Sequence, residues 1–343
     1  MTNTPDRIAL VMGLGRSGTT FLAKLIDTAP EVLYRHEPDV LLKTNVPNIC
    51  ARDQFDAHIA GAKELVAAMA HCRHWRSAGT RPLFDKSYRS RSANLAYRMM
   101  ALGSKVARRL HLPVVDSLPD LVRTDHGEVL YLIKSVSSLG RAGLFGKAVP
   151  HLAAVHIIRH PCAVFTSLRT GMDKGLMRTK IRMKPLFAHQ ESNNYPITLK
   201  EITNASFEEQ IAYRWMLTND KAAGDMADSS SYLQVRYEDL CTDVDRVSRT
   251  IFDHLGLERG AQTERFINEI TQDPSDDQRQ VGYFKVKRPI TSAINKWKDK
   301  LEPQTIERIR YIVSHSPLGR AYFNEACPQE QYSPKSTPQR GRG

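Results

Sequence analysis

The feature that most restricts the fold is a short apolar run, Ile8 to Met12, that meets Gly13-Leu14-Gly15-Arg16-Ser17-Gly18-Thr19-Thr20 and continues into a stretch with Phe21, Leu22, Leu25 and Ile26 on one helical face. Strand, glycine loop and helix in that order let backbone N–H groups turn inward around an anion, with the positive end of the helix behind them. Gly13 to Thr20 therefore reads as a phosphate cradle of the form G-x-x-x-x-G-x-T. A strand that feeds a helix returns to its sheet by a crossover, which favours parallel neighbours.

Four further apolar runs have the length and composition of buried strands: Val32 to Tyr34, Val129 to Ile133, Ala154 to Ile158 and Tyr232 to Val235. Segments of helical periodicity separate them. The alternation predicts an α/β fold of three layers, with a central parallel sheet of about five strands flanked by helices. Polar residues follow each run: Arg35-His36-Glu37, Lys134-Ser135, Arg159-His160-Pro161 and Arg236-Tyr237-Glu238-Asp239. Ligands of an open parallel sheet bind beyond the carboxyl ends of its strands, so these groups are expected along one edge, as a site for a multiply anionic ligand.

The 343 residues carry 49 Lys and Arg against 37 acidic residues, a net charge of +12 that suits nucleic acid, an anionic membrane surface or an anionic small ligand. Much of it lies in 73–109 and 174–184, read here as solvated helix faces and lids. The N-terminal apolar run is too short for a signal-peptide core or a membrane span, which points to the cytoplasm. Five cysteines with no C-x-x-C pair argue for free thiols and against a structural zinc site. No His/Asp cluster has metal-ligand spacing, so no metal is expected. With no repeat or long linker, the expected organisation is a flexible 1–6, one domain over 7–327 and a disordered polar tail, 328–343.

A nucleoside-triphosphate hydrolase would carry Lys where Thr19 stands and an acidic residue at a neighbouring strand end for magnesium. The fourth strand instead ends in Arg159, and Val114-Val115-Asp116 is interrupted by Pro113. The positive charge sits inside the loop, at Arg16. Gly15-Arg16-Ser17-Gly18-Thr19-Thr20-Phe21-Leu22 resembles the 5′-phosphosulfate loop of the sulfotransferases. The continuation Asp27 to Pro38 is closer to the carbohydrate, tyrosylprotein and bacterial branches than to the cytosolic phenol and steroid branch. The resemblance runs from Ile8 to about Ser314, apart from 45–115 and 172–205, which are expected to form the acceptor pocket and lid.

The resemblance implies 3′-phosphoadenosine 5′-phosphosulfate as donor, held by Gly15, Arg16, Ser17, Gly18, Thr19 and Thr20. Arg159 and Ser167, eight residues apart, resemble the family's 3′-phosphate motif, in which guanidinium forks onto phosphate and a hydroxyl adds a donor. His160 and Cys162 stand where the family usually shows Asp and a second Arg, a departure expected to weaken local geometry. Tyr237, in Val235-Arg236-Tyr237-Glu238-Asp239-Leu240, is either a nucleotide neighbour or core. Lys287 and Arg288 echo nucleotide-contacting segments of the family, although the R-K-G triplet of the cytosolic branch is absent.

Sulfuryl transfer needs a deprotonated acceptor and donors for the developing charge, roles for which Arg16 and Lys134 are candidates. Lys134 reads equally as a surface lysine. Glu37 is the preferred general base and His36 its rival, since alternation in an extended chain turns only one of them inward. The expected acceptor is a small molecule, glycan or glycolipid, with no nucleic-acid partner and no membrane span but with room for peripheral membrane contact. Two other readings stay open: a P-loop nucleotide or small-molecule kinase, and a non-catalytic anion- or nucleic-acid-binding protein.

Overall fold

The computed structural model describes residues 3–112, 116–123, 128–176, 183–187, 195, 197–271 and 294–323. All five expected strands form, as β1 (Ile8–Met12), β2 (Val32–His36), β3 (Leu130–Ser135), β4 (Leu152–Ile158) and β5 (Tyr232–Arg236). They build one parallel sheet in the order β2-β3-β1-β4-β5. Chain order reverses on either side of β1, so the glycine loop leaves the sheet at its switch point, where such sheets bind ligands. β2 and β3 run past their apolar stretches because the added charges find buried partners. Arg35 pairs with Asp120 at 2.6 Å, and Lys134 with Glu37.

The helices of the first half are α1 (Thr19–Ile26), α2 (Phe55–Ala70), α3 (Trp75–Ala78), α4 (Arg91–Arg109), α5 (Ala142–Ala148), α6 (Pro161–Asp173) and α7 (Met183–Phe187). Those of the second are α8 (Leu199–Asn204), α9 (Phe207–Asp225), α10 (Tyr237–Thr242), α11 (Val244–His254), α12 (Ala261–Thr271), α13 (Pro303–Val313) and α14 (Pro317–Phe323). β1 shows how they layer. All five of its residues are buried, and alternate ones enter opposite cores. Ala9 and Val11 join α1, α10, α11 and α12, where Phe21 stacks on Phe266; Ile8, Leu10 and Met12 join α2, α5, α6, α9 and α13.

Residues 45–115 divide between layers. Leu65, Val66 and Met69 of α2 belong to the main core, whereas α3 and α4 pack on Leu118 in a separate small cluster through Ala78, Tyr97 and Ala101. The stretch 73–109 is not solvated throughout, a correction to the expectation above. Lys86 and Lys24 are buried and grip the two carboxylate oxygens of Asp27, each at 2.8 Å, while Arg89 Nε donates to Asp120 O at 2.7 Å. A buried ammonium persists only where a carboxylate and carbonyls replace its water. Cys50, Cys72, Cys162 and Cys241 are buried free thiols. Arg288, Lys287, Cys327 and the tail 328–343 lie outside the described residues.

Candidate active site

The loop after β1 is shaped by two glycines. A Cβ at Gly13 would come 2.5 Å from Ile157 O, so only glycine lets the loop lie against β4. Gly18 has φ 91°, and a Cβ there would stand 2.6 Å from Tyr237 Cε2. Gly15 has open space where its side chain would be. Arg16 adopts φ 77°, a left-handed conformation that costs a non-glycine residue ~1–2 kcal/mol and concentrates at functional sites. Thr19 and Thr20 open α1, whose N-cap, Gly18, offers no side-chain acceptor to the first turn. Ser17 Oγ is buried and has no hydrogen-bond partner among the described residues. A helix start without a side-chain cap, beside a buried hydroxyl left unsatisfied, fits an anionic group.

The second candidate motif reaches into this loop. Arg16 Nε donates to Ser167 Oγ at 3.0 Å from α6, and Arg159 Nη1, at the end of β4, donates to Arg16 O at 3.1 Å. The Arg159 guanidinium lies 4.5 Å over the Tyr237 ring, which backs Gly18. Gly18, Arg16, Arg159, Ser167 and Tyr237 thus form one contiguous cluster with Arg16 at its junction. Tyr237 belongs to the core, as one of its two readings expected, and its ring also walls the loop at Gly18.

His160 itself holds the start of α6 in place. Its Nδ1 accepts from Cys162 N at 3.2 Å and caps α6, and its ring stacks on Trp297 with centroids 4.3 Å apart. Burial, with Arg236, Lys298 and Arg159 nearby, holds its pKa down at about 3, so the ring is a neutral acceptor at neutral pH. Glu238 Oε1 fixes the same corner by accepting from His160 N at 2.9 Å.

Beside the loop, β2 and β3 end together, with His36 opposite Lys134. Lys134 is 2% exposed, not a surface lysine, and its ammonium meets the Glu37 carboxylate. Burial lowers the Lys134 pKa against the opposing pull of Glu37, and the nearby Arg16 charge lowers it further. The alternation expected for His36 and Glu37 fails because the chain is not extended at Glu37, where φ is 44°. Both residues therefore approach Lys134. His36 Nδ1 lies 2.7 Å from Tyr34 Oη, and burial with the Lys134 and Lys24 charges holds its pKa at about 3.

The sequence reasoning passed over Asp39. Its buried carboxylate accepts from Ser135 Oγ at 2.6 Å and from Arg141 Nη2 at 3.2 Å, tying the turn after Glu37 to β3. The signal for it is the acid three residues after the end of β2, in Glu37-Pro38-Asp39, where a short polar side chain commonly pins a turn.

The chain is similar to several solved structures. The sulfotransferase domain of the Synechococcus olefin synthase is 18% identical, with 90% of this chain and 95% of that chain covered and a TM-score of 0.41. A mouse sulfotransferase complexed with PAP is 11% identical, covering 94% and 90% with a TM-score of 0.41. A sulfotransferase from Alicyclobacillus acidocaldarius is 12% identical, covering 93% and 95% with a TM-score of 0.41. No curated protein matches the chain. The model of the sulfotransferase family matches residues 9–261, well over half of the chain and the whole span from β1 to the start of α12, and this protein therefore belongs to the sulfotransferase family.

Proposed function

We propose that this sulfotransferase uses 3′-phosphoadenosine 5′-phosphosulfate as donor, without a metal ion, and that Glu37 takes the proton from a hydroxyl or amine acceptor. The observation that carries the reading is the convergence of Arg16, Arg159 and Ser167 on the glycine loop, next to the Glu37–Lys134 pair. The donor supplies a sulfuryl group on a good leaving group. In the transfer a bond forms between acceptor oxygen or nitrogen and sulfur, the bridging S–O bond breaks, and the acceptor proton passes to Glu37. Arg16 and the loop N–H groups stabilise charge on the departing phosphate. Lys134 orients the Glu37 carboxylate and sets a positive charge beside the base. His36, kept neutral, supports Tyr34 in place of serving as the base. Arg159, Ser167 and Tyr237 bind the nucleotide around Arg16, and Arg288 is carried as a further contact. The excess of cations suits an acidic or phosphate-bearing acceptor, such as a glycan or glycolipid.

Thermal unfolding in EDTA tests the donor. Adenosine 3′,5′-bisphosphate at 100 times its Kd should stabilise the fold by about 2.7 kcal/mol through linkage and raise the midpoint accordingly. Stabilisation by ATP with magnesium, and none by the bisphosphate, would instead establish a kinase.

A further inference from the structure

We infer that α4 is a membrane-docking helix that lays its outer face on an anionic lipid surface. A surface helix of a globular protein normally turns its polar face outward. α4 does the reverse. Its inner side packs through Tyr97 and Ala101 onto the small cluster with α3, while its solvent side carries Leu95 at 63% exposure, Met99 at 61%, Leu102 and Val106, continued past its end by Leu110. The spacing of these residues sets them in one stripe along the helix. Arg91, Arg98, Lys105 and Arg109 are also exposed and project along one flank of the stripe; α4 itself contains no acidic residue, and among the described residues only Arg98 of the four forms an ion pair, with the exposed Asp85 at 3.0 Å. An apolar ridge edged by cations is the form of a helix that lies in a lipid interface, burying its ridge among acyl chains while its cations meet headgroup phosphates.

Charge decides between occupants. A second copy would set two acid-free helices face to face, with no ion pair available between them and like charges opposed. Nucleic acid would leave the apolar ridge unburied. An anionic bilayer satisfies ridge and flank together. The inference uses none of the residues of the donor cluster. Among the described residues no helix is long and apolar enough to cross a membrane.

Co-sedimentation of the full chain with vesicles tests it. Binding is expected to phosphatidylglycerol–phosphatidylcholine vesicles, to weaken as salt is raised, and to be absent with phosphatidylcholine alone. Lys105→Gln with Arg109→Gln should weaken it about 25-fold, about fivefold for each cation near the surface. Leu95→Gln with Val106→Gln should weaken it by at least about tenfold while thermal midpoint and bisphosphate binding stay put. No binding to the anionic vesicles, or binding indifferent to both double variants, overturns the inference. So does a dimer in analytical ultracentrifugation that Leu95→Gln with Val106→Gln dissociates, since a second copy would then occupy the stripe.

Discussion

At the scale of single residues, the candidate base is defined by how firmly it is held. Glu37 occupies a left-handed conformation, its N–H donates to Lys134 O at 2.8 Å, and Asp39 pins the turn behind it. Glu37→Gln keeps the shape and the hydrogen-bonding capacity but removes basicity. Turnover should fall roughly 10²–10⁴-fold in a radiolabelled-sulfate assay, with bisphosphate affinity unchanged. His36→Asn should cost far less; the reverse ranking would make the histidine the base. Arg159 is tied both to Arg16 O and to the Tyr237 ring, so its removal reaches beyond a single phosphate. Arg159→Ala should weaken bisphosphate binding by ~1.5–3 kcal/mol in calorimetry and adenosine 5′-phosphate binding by a smaller amount. Equal losses for the two nucleotides would show that Arg159 serves the loop alone and not the 3′ group.

At the scale of elements, the N-terminus of α6 joins the donor cluster to the C-terminal helices. The His160 ring caps α6 and is enclosed by Trp297, Tyr322 and Phe323. His160→Ala should destabilise the protein by about 1–3 kcal/mol, combining a lost cap with lost ring contacts, and should change the Trp297 fluorescence. A fluorescence spectrum identical to that of the parent would mean that the segment holding Trp297 does not depend on this contact. The strands were legible in the sequence because each contains a short apolar run, buried almost throughout in β1 to β4, and the loop because its glycines and helix follow β1 directly. The buried Asp27 cluster was not, since Lys24, Asp27 and Lys86 look like ordinary surface residues until the fold brings Lys86 back over α1. The same limit hid Asp39, whose partners Ser135 and Arg141 come from the far side of the chain. Glu37 and Lys134 were each visible as strand-end residues, but their pairing depends on β2 lying beside β3, and no local pattern records that adjacency.

At the scale of the whole molecule, three histidines held neutral in the folded protein make stability depend on pH. Burial holds His36 and His160 at about 3 and His156 at about 4, the last between Tyr232 Oη at 2.8 Å and Asn219 Oδ1 at 3.1 Å. In the unfolded chain all three protonate near pH 6.5. Between that value and about 4 the unfolded state therefore binds protons that the folded state refuses, so stability is fully present above pH 6.5 and is lost as the pH falls. Two buried carboxyls act in the opposite sense. Burial raises Asp220 to about 6, so near pH 5 the folded state holds a proton there that the unfolded state has released, and burial moves Glu238 in the same direction. Three histidines against Asp220, with Glu238 acting in the same sense as Asp220, leave roughly one to two protons in favour of the unfolded state. The slope near pH 5 should accordingly be about 1.4–2.8 kcal/mol per pH unit. Urea unfolding at pH 7, 6 and 5 would measure it, and His156→Gln should remove about one proton from the difference and flatten the curve. Stability that is level or rises from pH 6.5 to 5 would show that these rings are charged in the folded protein, and the neutral His36 of the proposed mechanism would fall with them.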